Sequence, residues 1–267
     1  MRATFESKSL RVLVLFLALH SLDSTAASKT SASKESQETE DTSGGEGESK
    51  HQNFVDTLLP LLRMENDAIE GKRKKMLRYF SSLARGESLG AADREWLRDL
   101  AEDYRIDRDP LNDAQARREM VRRVDVIPVD LALAQAATET GWGTSHAAHK
   151  DRDFFGMTGM RTHKVRTASG RMVRAPKFAS LRDSVRTYIH NLNVHGAYQP
   201  LRTIRTQLRA ANKPIQGGAV ADGLVRYSTR GSSYVRQIRS VIRQNRFNQY
   251  TSSHRIATID GDASNAN

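Results

Sequence analysis

Residues 134–145 read Ala134-Gln135-Ala136-Ala137-Thr138-Glu139-Thr140-Gly141-Trp142-Gly143-Thr144-Ser145. Upstream, apolar and small residues continue back to Pro128, a residue favoured at the first helical position. Downstream, Gly141 suits the left-handed residue that closes a helix. The stretch therefore predicts a helix over 129–140. Leu131, Gln135 and Glu139 are four apart and share one face of it. Glu139 is the last glutamate in the chain and stands among small and apolar neighbours rather than among other charges. Burial raises a carboxyl pKa because the ionised form loses hydration. The negative end of the helix acts in the same direction. Together they predict a carboxyl that holds its proton near neutral pH, the property a glycosidase general acid needs. Gly141 and Gly143 bracket Trp142 and let the chain turn sharply, bringing an indole beside that carboxyl. A buried structural Glu packed against a core Trp satisfies the same chemistry equally well.

Helical periodicity dominates the surroundings. Phe54, Leu58 and Leu62 recur every four residues, and Pro60 among them predicts a boundary or kink. Met76, Phe80 and Leu83 make a second stripe, ending near Gly86; Trp96, Leu100 and Tyr104 make a third. Asp107 to Asp113, with Pro110, reads as a joint. Val165-Arg166-Thr167 and Met172-Val173-Arg174 flank Ser169-Gly170, the pattern of a small β-hairpin. Ser180 to Asp183 resembles a capping box, followed by a helix with Leu181, Val185, Tyr188 and Leu192 on one face. Leu201, Ile204 and Leu208 mark another helix, and Tyr234 through Ile242 the last. The expected fold class is mainly α.

The chain has 267 residues, 38% hydrophobic and 27% charged, and no cysteine. Disulfides, thiolate zinc sites and a cysteine nucleophile are thereby excluded. No apolar run reaches the roughly 18 residues of a spanning helix. Arg2, Lys8 and Arg11 precede an apolar core from Val12 to Leu22, and Ser24-Thr25-Ala26-Ala27 follows it. That order predicts a signal peptide over 1–27 and an exported protein, in the periplasm, envelope or outside the cell. Residues 28–50 are rich in Ser, Thr, Glu and Gly and read as a disordered linker; 251–267 read as a flexible tail. Between them, 51–110 form a helical N-terminal segment and 111–250 the main domain.

Charge is uneven. Residues 161–250 hold 18 Lys and Arg against two acids, Asp183 and Asp222, a net of +16. Such a field favours an anionic partner, and export favours the cell envelope over nucleic acid. No recognition helix or base-stacking sheet pattern points to nucleic acid. His146 and His149 are three apart, but no further ligands at metal-binding spacing accompany them, so no metal and no cofactor is expected. Ser145 lies in no nucleophile elbow, and no phosphate loop is present.

The 134–145 stretch resembles the signature of the bacterial glucosaminidase family (mannosyl-glycoprotein endo-beta-N-acetylglucosaminidase-like, glycoside hydrolase family 73), with Thr138 and Thr140 where Leu and Ser are usual. Asp153-Phe154-Phe155-Gly156 resembles the family's Asn-Leu-Phe-Gly element. Tyr227-Ser228-Thr229-Arg230-Gly231, with Tyr234 downstream, resembles its tyrosine motif, closest to the Bax-like branch. The resemblance covers about residues 52–248. It implies a lysozyme-like helical domain with a small β-hairpin beside the cleft, and hydrolysis of the β-1,4 bond after N-acetylglucosamine in peptidoglycan glycan strands. Carried over, Glu139 is the general acid and Tyr227 a catalytic-cleft residue near the scissile sugar. Tyr234 lines or supports the cleft, and Trp142 and Phe155 are packing or sugar-stacking positions.

One departure matters. No acid occurs between Met160 and Leu181, and Arg174 stands where a hairpin Glu is common. Three routes remain open. Asp153 reaches the cleft as the second carboxylate; the substrate's acetamido group attacks, oriented by Tyr227; or the protein binds glycan without cleaving it. Asp183 is better explained as a cap and Asp222 as a solvated acid. A muramidase or lytic transglycosylase is the alternative enzyme, since a lone Glu serves that chemistry too.

Overall fold

A computed structural model describes residues 43–157, 162–166, 172–176 and 178–251. The signal-peptide reading, residues 28–42 of the linker and nearly all of the C-terminal tail lie outside these residues. Nine helices and one strand pair are present among the described residues: α1 (Ser43–Ala84), α2 (Ala91–Asp103), α3 (Ala114–Arg123), α4 (Val129–Thr140), α5 (His146–Asp151), β1 (Thr162–Arg166), β2 (Met172–Pro176), α6 (Leu181–Val194), α7 (Gln199–Ala210), α8 (Gly217–Val220) and α9 (Ser232–Gln244). Short 3-10 turns precede α7 and follow α8 and α9. β1 and β2 pair antiparallel with Lys164 opposite Arg174. The turn expected at Ser169-Gly170 lies outside the described residues.

Two expectations about the N-terminal region are corrected. The stripes at Phe54–Leu62 and Met76–Leu83 belong to one continuous helix, and Pro60 sits inside it. Pro60 is tolerated because it lies on the exposed face, where solvent takes the place of its missing donor. The helix also begins at Ser43, so 43–50 are helical rather than linker. Once a long packed helix exists, adding residues to its end costs far less than nucleating a new one.

α4 is the axis of the molecule. Every residue in it except Thr138 and Glu139 is buried, as expected of a helix apolar on all sides. Leu131, Ala132, Leu133, Ala134 and Ala136 join one core with Phe54, Leu58 and Leu62 of α1, Val185 and Leu192 of α6, Leu201 of α7 and Ile238 of α9. A second core gathers Met76 and Tyr79 of α1, Leu97 and Leu100 of α2, Met120 of α3 and Val194. The cores therefore do not divide at residue 110; α1 contributes to both.

Polar side chains fix how the helices meet. Asn66 of α1 donates through Nδ2 to the Ile127 carbonyl at 2.8 Å and accepts from the Ile127 amide at 3.1 Å, setting the entry to α4. The buried Asp125 accepts from Arg209 Nε at 2.8 Å and lies near Arg73 and Arg205. Burial pushes its carboxyl up, yet Arg205, Arg73 and Arg209 hold it below the ordinary carboxylate value. Glu65 of α1 takes Arg182 at 2.6 Å and Arg186 at 3.0 Å from α6. Gly217 donates its amide to both carboxylate oxygens of the buried Asp130 at 2.9 Å, and a Cβ there would stand 2.7 Å from the Leu131 nitrogen. Among the described residues no helix is long and apolar enough to cross a membrane.

Candidate active site

α4 ends as the sequence predicts. Gly141, Trp142 and Gly143 have φ of 56°, 62° and 80°, three successive left-handed residues. Trp142 is the uncommon member, since a bulky side chain disfavours this region. The turn is held by its own hydrogen bonds: the Trp142 amide to the Ala137 carbonyl at 3.1 Å, the Gly143 amide to Thr140 Oγ1 at 2.8 Å and the Ser145 amide to the Thr140 carbonyl at 2.9 Å. Glu139 is thereby fixed in the last turn of a rigid, buried helix.

Its carboxyl is half-buried and accepts a 3.0 Å hydrogen bond at Oε1 from the Tyr234 hydroxyl. Among the described residues Glu139 makes no ion pair. Burial pushes its pKa well above the ordinary glutamate value; the Tyr234 hydrogen bond opposes this, the Asp153 charge adds to it, and Arg230 opposes it from a distance. The surroundings of Glu139 thus favour its protonated form over the ordinary glutamate.

Behind Glu139 stands a buried relay. The Tyr188 hydroxyl donates to Gln135 Oε1 at 2.7 Å, and Gln135 Nε2 donates to the Tyr234 oxygen at 3.0 Å. Gln135, Tyr188 and Tyr234 are all fully buried. Tyr234 stacks on Tyr227 with centroids 5.4 Å apart, and Phe155 stacks on Tyr188 at 3.9 Å. Gln135 is signalled by sharing a helical face with Glu139. Nothing in the local sequence marks Tyr188 as its partner, because the two are 53 residues apart.

The other expected site residues are placed as follows. Tyr227 is buried and its hydroxyl donates to the Phe155 carbonyl at 2.8 Å. It supports the loop behind Glu139. Phe155 has no exposed surface. This corrects the sugar-stacking alternative in favour of packing, since its ring is covered by Tyr188. Asp153 is buried as well; its Oδ1 accepts from the amides of Phe155 at 3.1 Å and Met157 at 3.2 Å. Despite those bonds, burial pushes its pKa up to about 6. Through Oδ1 the carboxyl organises its own loop. Trp142 is half-buried, stacked on His51 of α1 at 3.5 Å, with Phe54 and Phe247 edge-on. One indole face is thus occupied by α1.

The remaining candidates have local roles. Ser145 caps α5 by accepting from the Ala148 amide. His146 and His149 are exposed on α5. Ser180 caps α6 by accepting from the Asp183 amide, and its hydroxyl donates to Asp183 Oδ2 at 2.8 Å. Asp222 pairs with Arg239 at 3.0 Å on the surface.

The glucosaminidase family model (mannosyl-glycoprotein endo-beta-N-acetylglucosaminidase) matches residues 114–247. "Protein bax" of Escherichia coli (strain K12) is 33% identical over 181 residues, 68% of this chain and 64% of that protein. The chain thus spans slightly less than two thirds of that relative's length. Among solved structures, the catalytic domain of the autolysin Auto of Listeria monocytogenes is similar at a TM-score of 0.35 and 14% identity, covering 65% of this chain and 96% of that domain.

Proposed function

The chain belongs to the glucosaminidase family, and we propose that it is an exported peptidoglycan hydrolase with Glu139 as its general acid. The observation that carries this reading is the carboxyl itself. It ends the most buried helix of the molecule, its surroundings favour the protonated form, and no cation among the described residues ties it down. The bond cleaved in this reading is the β-1,4 linkage after N-acetylglucosamine, in a lysozyme-like groove flanked by the β1–β2 pair.

The second catalytic group is not a protein carboxylate in this proposal. Between Asp153 and Asp183 the sequence contains no Asp or Glu. Asp153 is engaged with its own loop and Asp183 with the cap of α6. The substrate's acetamido oxygen therefore attacks the anomeric carbon as Glu139 passes its proton to the departing oxygen. The carboxylate left behind then takes a proton from the water that opens the cyclic intermediate. Tyr227 and Tyr234 act from beneath: one holds the Phe155 carbonyl, the other holds Glu139.

The same lone carboxyl favours one second reading, a lytic transglycosylase, in which a sugar hydroxyl replaces the acetamido oxygen. Purified sacculi digested with the protein separate the two by the chemistry of the new ends. Reducing N-acetylglucosamine ends support the hydrolase; anhydromuramic ends support the transglycosylase. Binding to sacculi without fragment release would leave a wall-binding protein. The basic 161–250 region supports an anionic envelope surface as partner.

A further inference from the structure

The relay behind Glu139 has a direction. An amide can accept only through its oxygen and donate only through its nitrogen. Because the Tyr188 hydroxyl occupies Gln135 Oε1, the amide nitrogen faces Tyr234. The Tyr234 oxygen accepts from that nitrogen, and its own hydrogen is directed to Glu139 Oε1. A carboxylic acid that accepts at one oxygen carries its proton on the other. If the amide were flipped, every bond could run backwards. Glu139 would then donate to Tyr234, Tyr234 to the amide oxygen, and the amide nitrogen to Tyr188. The number of hydrogen bonds would be unchanged, but the acid proton would point into the protein.

We propose that Gln135 and Tyr188 are positioning residues that set the polarity of the Tyr234–Glu139 hydrogen bond, holding the acid proton on Oε2, the carboxyl oxygen that Tyr234 does not occupy. Neither touches substrate; both act through Tyr234. The inference rests on the reading of Glu139 as general acid. When Glu139 gives up its proton, the carboxylate finds every member of the chain donating toward it. The relay thus stabilises the product of proton transfer as well as aiming the proton. The same bond lowers the Glu139 pKa against the effect of burial. The titratable and charged groups facing Glu139 are Tyr234 of α9, Arg230 and Tyr227 of the segment before α9, Asp153 of the loop after α5, and Tyr188 of α6. Of these, the relay contains only the two buried phenols Tyr188 and Tyr234.

The test uses the full chain and purified sacculi, with initial rates measured against pH and against sacculus concentration. Tyr188→Phe removes the hydrogen that fixes the amide. Gln135→Met keeps the volume and removes both hydrogen bonds. Glu139→Gln is run in parallel, and thermal melting checks that each variant folds, so that either relay variant alone carries the test. The expected result is a fall of about tenfold to a hundredfold in maximal rate, unchanged half-saturation, and a basic limb displaced to higher pH in both variants. A relay variant that folds and keeps the wild-type basic limb overturns the inference, whatever its rate. If Glu139→Gln is inactive in that experiment, the general-acid reading survives and the relay alone fails. If Glu139→Gln retains activity, the general-acid reading fails first and the relay with it.

Discussion

The hydroxyl of Tyr234 lies 3.0 Å from Oε1 of Glu139 and donates to it. One residue comes from the first turn of α9 and the other from the last turn of α4, 95 positions apart in the chain. Burial drives the Glu139 pKa up and this hydrogen bond draws it down, with smaller opposing effects from Asp153 and Arg230.

Tyr234→Phe leaves the ring stack on Tyr227 in place and removes the donor. The Gln135 amide loses its acceptor in a buried site, at a cost of about 1–3 kcal/mol in stability. With its stabilising bond gone, the Glu139 carboxylate becomes harder to form. A pH–rate profile is expected to show a basic limb at higher pH and a lower maximal rate.

Asp153→Asn moves the same limb the other way. Ionised Asp153 raises the Glu139 pKa by repulsion, and its own pKa is pushed up to about 6. Removing that charge is expected to bring the basic limb to lower pH, with the difference from wild type appearing only above about pH 6. The amide oxygen can still accept from the Phe155 and Met157 amides, and because burial raises the folded Asp153 pKa to about 6, the variant is expected to melt above wild type at neutral pH and to converge with it at acid pH.

The raised Glu139 pKa also bears on stability. A carboxyl that binds its proton more tightly when folded makes the fold lose stability as pH rises from the unfolded to the folded pKa. Glu139→Gln removes that loss while keeping an acceptor for Tyr234. The variant is expected to melt above wild type near neutral and alkaline pH, by about 2–4 °C for each kcal/mol gained. The two should converge at pH below the ordinary glutamate range. Scanning calorimetry across pH checks both the sign and the window.

Arg205 is fully buried and donates to the Val126 carbonyl at 2.8 Å, to Asn193 Oδ1 at 2.8 Å and to the Arg122 carbonyl at 2.7 Å, beside Asp125. Arg205→Met removes one cation from Asp125 and takes a donor from two buried acceptors, the Val126 carbonyl and Asn193 Oδ1, and from the partly buried Arg122 carbonyl. Chemical denaturation is expected to report a loss of about 3–5 kcal/mol, the cost of breaking a buried pair from one side.

Arg226, Arg236 and Arg243 are exposed. Reversing all three to Glu is expected to reduce sacculus binding by at least about tenfold at low salt and to flatten its salt dependence, without changing the melting temperature. Sedimentation with sacculi over a salt series measures both.

Much of α4 was legible because its signals are local. Pro128 and Gly141 mark its ends, and its uninterrupted small and apolar residues mark its burial. The Ser180 cap of α6 was legible for the same reason. The continuity of α1 was not, because its stripe is broken by Glu65, Asn66 and Arg73. All three face the interior, and their partners are Arg182 and Arg186, Ile127, and the Val121 and Val124 carbonyls. α3 escaped notice because only Ala116 and Met120 are buried in a helix otherwise rich in charge. At the site, Glu139 stood out by isolation from other charges. The engagement of Asp153 with its own loop and the covering of Phe155 by Tyr188 depend on contacts between distant or folded segments. The sequence pattern cannot show whether a buried polar group faces a groove or its own backbone.

The role of Glu139 as general acid is tested by muropeptide release from purified sacculi by the wild-type chain and by folded Glu139→Gln, with product ends identified by mass spectrometry. Wild type is expected to liberate fragments with reducing N-acetylglucosamine ends and the variant to release at least about a hundredfold less. Equal release by a folded Glu139→Gln variant would contradict that role.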